Sequence, residues 1–479
     1  MTHTLEREVT MVHVPRWQLV RARPEVLAAA ALAGVVAATA LRLDRPGIGW
    51  LIAMTGVVIA VAAVAVRQDR PLDWPWALAA VALMGVGTVR AAEWLFVLCA
   101  LASCGSLSLA VTRVRTLHGI LLGGMAIPFA SLSGLGWVGR GLAALGRRSG
   151  HRVNPRLVAS VAVSLGLLVV FGALFAGADA AFAELLLSAV PKVDGGNTFL
   201  WLFLFLAVGL STVGACYLLA VPLPAVNQSS PARSSLRRLE WALPVGALVL
   251  LFAAFVAVQI VTLFGGSQYV LRTANLSYAD YARGGFWQLA AITVLTLVVI
   301  AVVARLAPRE TERDRLWLRI LPGALAVLTL VVVASALTRM WAYQEAYGFT
   351  VMRLLVQTCE LWLGAVYLLV LAAGVRLRGQ WLAQAVVGTA VAALLGLAAI
   401  NPERLIAEQN IARSVHNHVL DSYYLGGLST DAAPALATVD APWARCRLHG
   451  MARDVLEEDW RSWNLSRSAA REQVLDARC

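Results

Sequence analysis

Lysine is almost missing from this chain of 479 residues: Lys192 is the only one. A phosphate-cradling P-loop needs a lysine inside a glycine-rich turn. Lys192 sits in Pro-Lys-Val-Asp-Gly-Gly, so no such loop is available. Charge of either sign is scarce too, at 14% of residues against 59% hydrophobic, with a mean hydropathy of +0.72. A water-soluble fold cannot hide that much apolar surface. The six cysteines include no Cys-x-x-Cys pair, which removes the usual zinc and thioredoxin-like arrangements. His-Glu-x-x-His, Gly-x-Ser-x-Gly and a Gly-x-Gly-x-x-Gly turn after a strand are all missing. His416, His418 and Asp421 are the remaining metal-ligand types close together, but positions i and i+2 diverge on a helix, so they read as solvated polar residues. No metal and no cofactor is expected.

What the chain has is long apolar runs. They lie at about 26–43, 48–66, 75–89, 93–111, 157–176, 199–221, 241–264, 285–306, 318–338, 354–374 and 381–400. Runs of this length fit helices crossing a bilayer, not the short alternating strands of a membrane barrel. The fold class is therefore all-α: a polytopic transmembrane helical bundle of about eleven spans. A glycine-rich stretch at 119–145, with arginines on both sides, reads as a re-entrant or interfacial hairpin. Four regions follow: a basic N-terminal tail (1–24), a first group of spans (25–155), a second (156–400), and a small helical C-terminal domain (401–479).

The formal net charge of +12 comes almost entirely from arginine. In a membrane protein that excess is topological and not a nucleic-acid footprint. Arg233, Arg237 and Arg238 precede one span, Arg305, Arg309, Arg313 and Arg315 another, and Arg376 and Arg378 the last. The loops between carry Asp179, Glu184 and Asp194, then Asp280, then Glu345. Positive loops stay inside, which places the N-terminus in the cytoplasm and residues 401–479 outside.

The stretch from Arg339 to Glu360 is a polar, aromatic turn between two apolar runs. Arg339, Tyr343 and Tyr347 share one helix face; after Gly348, Arg353, Gln357 and Glu360 share another. Glu360 falls about 10 Å beyond Arg353, at about 1.5 Å per residue. A carboxylate at that depth costs roughly 2.5–3.5 kcal/mol, so it should face protein or water. A partner is expected for it, in Arg339 or a tyrosine hydroxyl as readily as in Arg353. The other outer loop holds Tyr278, Asp280, Tyr281 and Arg283, which could meet Arg339, Tyr343, Glu345 and Arg353 in one layer. That layer is either a ligand or ion site or an interfacial belt with structural ion pairs.

Five motifs occur in order: FGALFAGADAAF (171–182), LSYADYARGGFWQL (276–289), TRMWAYQEAYGFTVMRL (338–354), NPERLIAEQNIAR (401–413) and DWRSWNLSRSAA (459–470). Together they resemble the bacterial domain of unknown function 4173, related to 4153, over roughly 155–479. The resemblance implies a bacterial multi-pass membrane protein and carries over no catalytic residue.

Three functional classes stay open. A transporter- or channel-like protein would take a small solute or ion. A sensor or assembly scaffold would bind a protein partner through 401–479. A membrane enzyme would have to use Asp280, Glu345 and Glu360. The lipid bilayer is a partner in each case, and nucleic acid in none. If the C-terminal domain is outside, Cys446 and Cys479 lie in an oxidising compartment, either as a disulfide stapling a small core or as two free thiols.

Overall fold

The computed structural model describes residues 22–148, 195–221, 237–264, 286–377, 379–415 and 419–479, with seven isolated positions between 160 and 179. The described chain is helical, with no strand among those residues. Its helices are α1 (Pro24–Ala40), α2 (Ile48–Arg67), α3 (Trp74–Met84), α4 (Glu93–Thr112), α5 (Leu117–Gly124), α6 (Ala126–Arg148) and α7 (Gly195–Ala220). There follow α8 (Arg238–Phe264), α9 (Phe286–Leu306), α10 (Glu312–Tyr347), α11 (Val351–Arg376) and α12 (Leu382–Ala399). The C-terminal domain is built on α13 (Pro402–Ser414), α14 (Pro442–Gly450) and α15 (Leu465–Asp476), with shorter turns between them.

Eight of the described helices are long and apolar enough to cross a membrane: α2, α4 and α7 to α12. α1 and the Trp74–Val89 segment are shorter apolar helices. Leu101, Leu250, Leu295 and Leu368 stand exposed on these helices. In water such a belt would drive association; against lipid tails it costs nothing.

Two bundles share this layer. α1 to α4 pack with α6 and α7 around Val61, Ala77, Trp137 and Cys216. The small residues of α1 and α7 let the helices close up: a side chain at Gly34 would strike the Phe205 ring and carbonyl at 2.8 Å. α8 to α11 form the second bundle, around Trp241, Leu325 and Tyr367. α7 therefore packs within the N-terminal bundle, against α1 and α6. α12 lies between the two, packing on α11 and on α3 and α4.

The glycine-rich stretch at 119–145 forms α5 and α6. At their junction Ser108, four residues before the end of α4, donates to the Gly123 carbonyl. It also accepts from the Ile127 amide at 3.2 Å. The other end of α6 returns to the start of α1, where a Cβ on Gly141 would lie 2.6 Å from the Ala22 carbonyl. The pair thus begins and ends at the arginine-bearing end of the bundle.

The C-terminal domain sits as a cap on the opposite end, over the turns at 41–47, 87–92 and 346–353. Asp431, fully buried, accepts from the amides of Ala91 and Ala92 at 3.0 Å, at the N-terminus of α4. That end of a helix carries unpaired N–H groups and partial positive charge, so a carboxylate completes it. Asn464, also fully buried, donates to the carbonyls of Gly87 (2.7 Å) and Arg90 (2.9 Å) while its oxygen accepts from Ser466 and Arg467. Its amide capacity is fully used. Arg467 pairs with Glu458 at 3.0 Å and donates to the Pro46 carbonyl. Ile48 and Gly49 donate to Trp463 and Arg461 in a short backbone seam. Beside that seam Asp459 accepts from Ser462 and Arg461; burial opposes its charge, but those donors outweigh burial and hold its carboxyl at about 2. Beneath lies one shared core of Leu83, Leu95, Ile406, Leu425 and Leu436. Cys446 and Cys479 are joined as a disulfide, Cα atoms 4.3 Å apart, tying α14 to the tail after α15.

Candidate functional site

α10 sets the frame for the site. Thr311 and Asp314 form a reciprocal capping box at its start, and its 36 residues run about 54 Å, longer than the hydrocarbon core. It ends at Gly348, whose φ of +86° suits glycine. A Cβ there would sit 2.7 Å from the Asn410 side-chain oxygen. Thr350 then caps α11, and the chain doubles back with Gly364 packed on Val333.

The turn itself is held by the cap. Asn410 accepts from the Phe349 amide at 2.9 Å and donates to its carbonyl at 2.8 Å. Tyr424 accepts from the Val351 amide at 2.7 Å. Arg413 donates to the Glu345 and Ala346 carbonyls, covering the open end of α10.

The residues singled out in the sequence divide into separate groups. Tyr278, Asp280, Tyr281 and Arg283 lie outside the described residues, as do His416 and His418. Arg353 lies over the Tyr343 ring at 4.4 Å, donates to the Tyr347 carbonyl at 3.0 Å and also reaches the Gly348 carbonyl. This is a cation–π stack that staples the turn. The Glu345 side chain is exposed and Gln357 is half-buried. Arg339 turns the other way, donating to Gln259 of α8 at 2.9 Å; Ser335 reaches the same oxygen at 3.4 Å.

Glu360 points inward, 3% exposed, and its Oε2 has no hydrogen-bond partner. Neither Arg339 nor Arg353 forms an ion pair with it, and no partner for Oε2 is found among the described residues. Two turns further along α11, the fully buried Tyr367 donates to the Thr293 carbonyl of α9 at 2.6 Å. Thr293, Thr296 and Thr329 are buried at this level, each returning its hydroxyl to its own helix. A second orphan, Gln344, is fully buried with both amide atoms unpaired. The interior of α8 to α11 thus gathers buried polar side chains around one carboxylate that has no counter-ion among the described residues. Among the described residues no cluster of histidine, cysteine, aspartate and glutamate has metal-site geometry.

A second polar region lies at the seam between cap and bundle. A cleft of about 470 Å³ is lined by Arg45, Glu93, Glu403, Arg447, Asp454 and Arg467, among others. Glu403 accepts from Trp94 at 3.0 Å and from the Ser429 amide at 2.6 Å. Burial pushes its carboxyl above the usual range against the pull of those bonds. Sequence reasoning missed this cleft and its holders. Ser429 caps the turn that follows it, while Asp431 reaches the start of α4, 340 residues back in the chain.

The helices and the docked cap define a multi-pass integral membrane protein. A family model described as domain of unknown function (DUF4153) matches residues 78–439, from α3 into the cap, and the chain belongs to that family. It is this relative of domain 4173 that fits, and the match begins well before residue 155. No curated protein and no solved structure matches the chain.

Proposed function

We propose that this protein is transporter-like, residing in a bacterial cytoplasmic membrane, with Glu360 taking up a proton or a small cation. The observation that carries the reading is a carboxylate inside a membrane-crossing helix, buried and with no partner for its Oε2 among the described residues. A lone charge there costs several kilocalories per mole and persists where it has work to do. A proton or a cation is what completes it.

Eleven spans result when α1, the Trp74–Val89 segment and the run at 157–176 join the eight longer helices. α5 and α6 then enter and leave on the cytoplasmic side as a re-entrant pair. Under this count the turns at 41–47, 87–92 and 346–353 all fall outside, where a single cap can touch all three. The cap then lies in an oxidising compartment, in keeping with the Cys446–Cys479 pair. The outer cleft at the seam would receive a small polar solute. That cleft also supports a second reading, a sensor in which the solute alters the cap and the cap contacts a protein partner.

A membrane-permeant carbodiimide separates the two. It reacts with protonated carboxyls in apolar surroundings, so it should modify the peptide containing Glu360, more slowly as pH rises, and not modify Glu360→Gln there. An unmodified Glu360 in folded protein would leave the sensor reading.

A further inference from the structure

A cavity of about 420 Å³ opens between α9, α10 and α11 at their arginine-bearing ends. Its walls are apolar, with Leu297, Ile300, Ala326 and Val370 among them. Small residues hold it open: a Cβ built on Gly323 or Gly374 meets no atom within 4 Å. Its mouth carries Arg309 and Arg319. Both are exposed; one Arg309 nitrogen donates to the Ala304 carbonyl, and neither arginine makes an ion pair among the described residues.

The cavity is cut into helices that cross the bilayer, so what reaches it is lipid. An acyl chain in an apolar slot of this shape gains dispersion contacts along its whole lining. Two guanidinium groups at the rim match a phosphate, and they stand at the end where the headgroups of the arginine-side leaflet lie. A zwitterionic lipid would bring its own cation against those arginines. We infer that this cavity is a site for one anionic phospholipid, an acyl chain between α9, α10 and α11 and the phosphate on Arg309 and Arg319. The site stands apart from Glu360 and does not depend on its role.

Native mass spectrometry of the full-length protein, with phosphatidylglycerol and phosphatidylcholine supplied in equal amounts, tests it. The wild type should retain one phosphatidylglycerol in preference. Arg309→Gln with Arg319→Gln should weaken that retention about thirtyfold, at roughly the surface contribution of two arginines. Gly323→Leu should fill the slot and abolish retention while the unfolding midpoint stays unchanged or rises. Should Gly323→Leu fail to purify, Val370→Phe fills the same space from the facing wall. Equal retention of both lipids by wild type and variants would mean annular lipid only and overturn the proposal. So would displacement of the lipid by inorganic phosphate alone, because the acyl chain would then contribute nothing.

Discussion

Asp431→Ala is expected to release the cap from the end of α4 and to lower stability by about 3–5 kcal/mol. The carboxylate is fully buried and accepts from two consecutive backbone amides. Truncation leaves the buried Ala92 N–H and the half-buried Ala91 N–H without an acceptor, and each bond to a charged group is worth roughly 1.5–3 kcal/mol. The core beneath, from Leu83 to Leu436, opens when that anchor goes. Asp431→Asn keeps one acceptor oxygen but turns an N–H against the other amide, and should fall between. Protease sensitivity of the cap in detergent, read with the unfolding midpoint, checks the series. An Asp431→Ala protein with a wild-type midpoint and a resistant cap would show that the docking rests elsewhere.

Glu360→Leu is expected to separate stability from function. Had a buried cation faced Glu360, leucine would strand that cation and cost several kilocalories per mole. Among the described residues there is no such partner: Arg339 donates to Gln259, and Arg353 is engaged by Tyr343 and the carbonyls of the turn. Leucine then removes an unpaired charge, an insertion cost of roughly 2.5–3.5 kcal/mol, and leaves nothing unsatisfied behind. The variant should purify with an unfolding midpoint at or above that of the wild type and carry no activity. Failure to fold, with Glu360→Gln folding normally, would reveal a charged partner beyond the described residues.

The apolar runs were legible because hydropathy over 20 residues is a local property, and the helices α1 to α4 and α7 to α12 lie where those runs lie. The depth of Glu360 was legible for the same reason, since rise per residue fixes it relative to the turn at Gly348. Its lack of a partner was not, because that depends on which way Arg339 turns, and Gln259 decides it from 80 residues away. The cap was recognisable as a helical domain of mixed charge, but its docking was not. Asp431 and Asn464 look like ordinary turn and cap residues until the chain brings Ala91 and Gly87 to them. Cys446 and Cys479 were open in the sequence because a terminal residue is frayed by default. In the fold His449 contacts the Ala477 carbonyl at 3.1 Å and brings the tail back beside α14.

The measurement that tests the central claim most directly is ion movement in proteoliposomes of the full-length protein, wild type against Glu360→Gln. A pH-sensitive dye and a sodium-sensitive dye inside the vesicles report the two candidate ions under an imposed gradient. The account predicts movement of one of them by the wild type and loss of that movement in Glu360→Gln, with the unfolding midpoint of the variant unchanged. Equal movement by both proteins, or by neither, would contradict a role for Glu360 in carrying an ion.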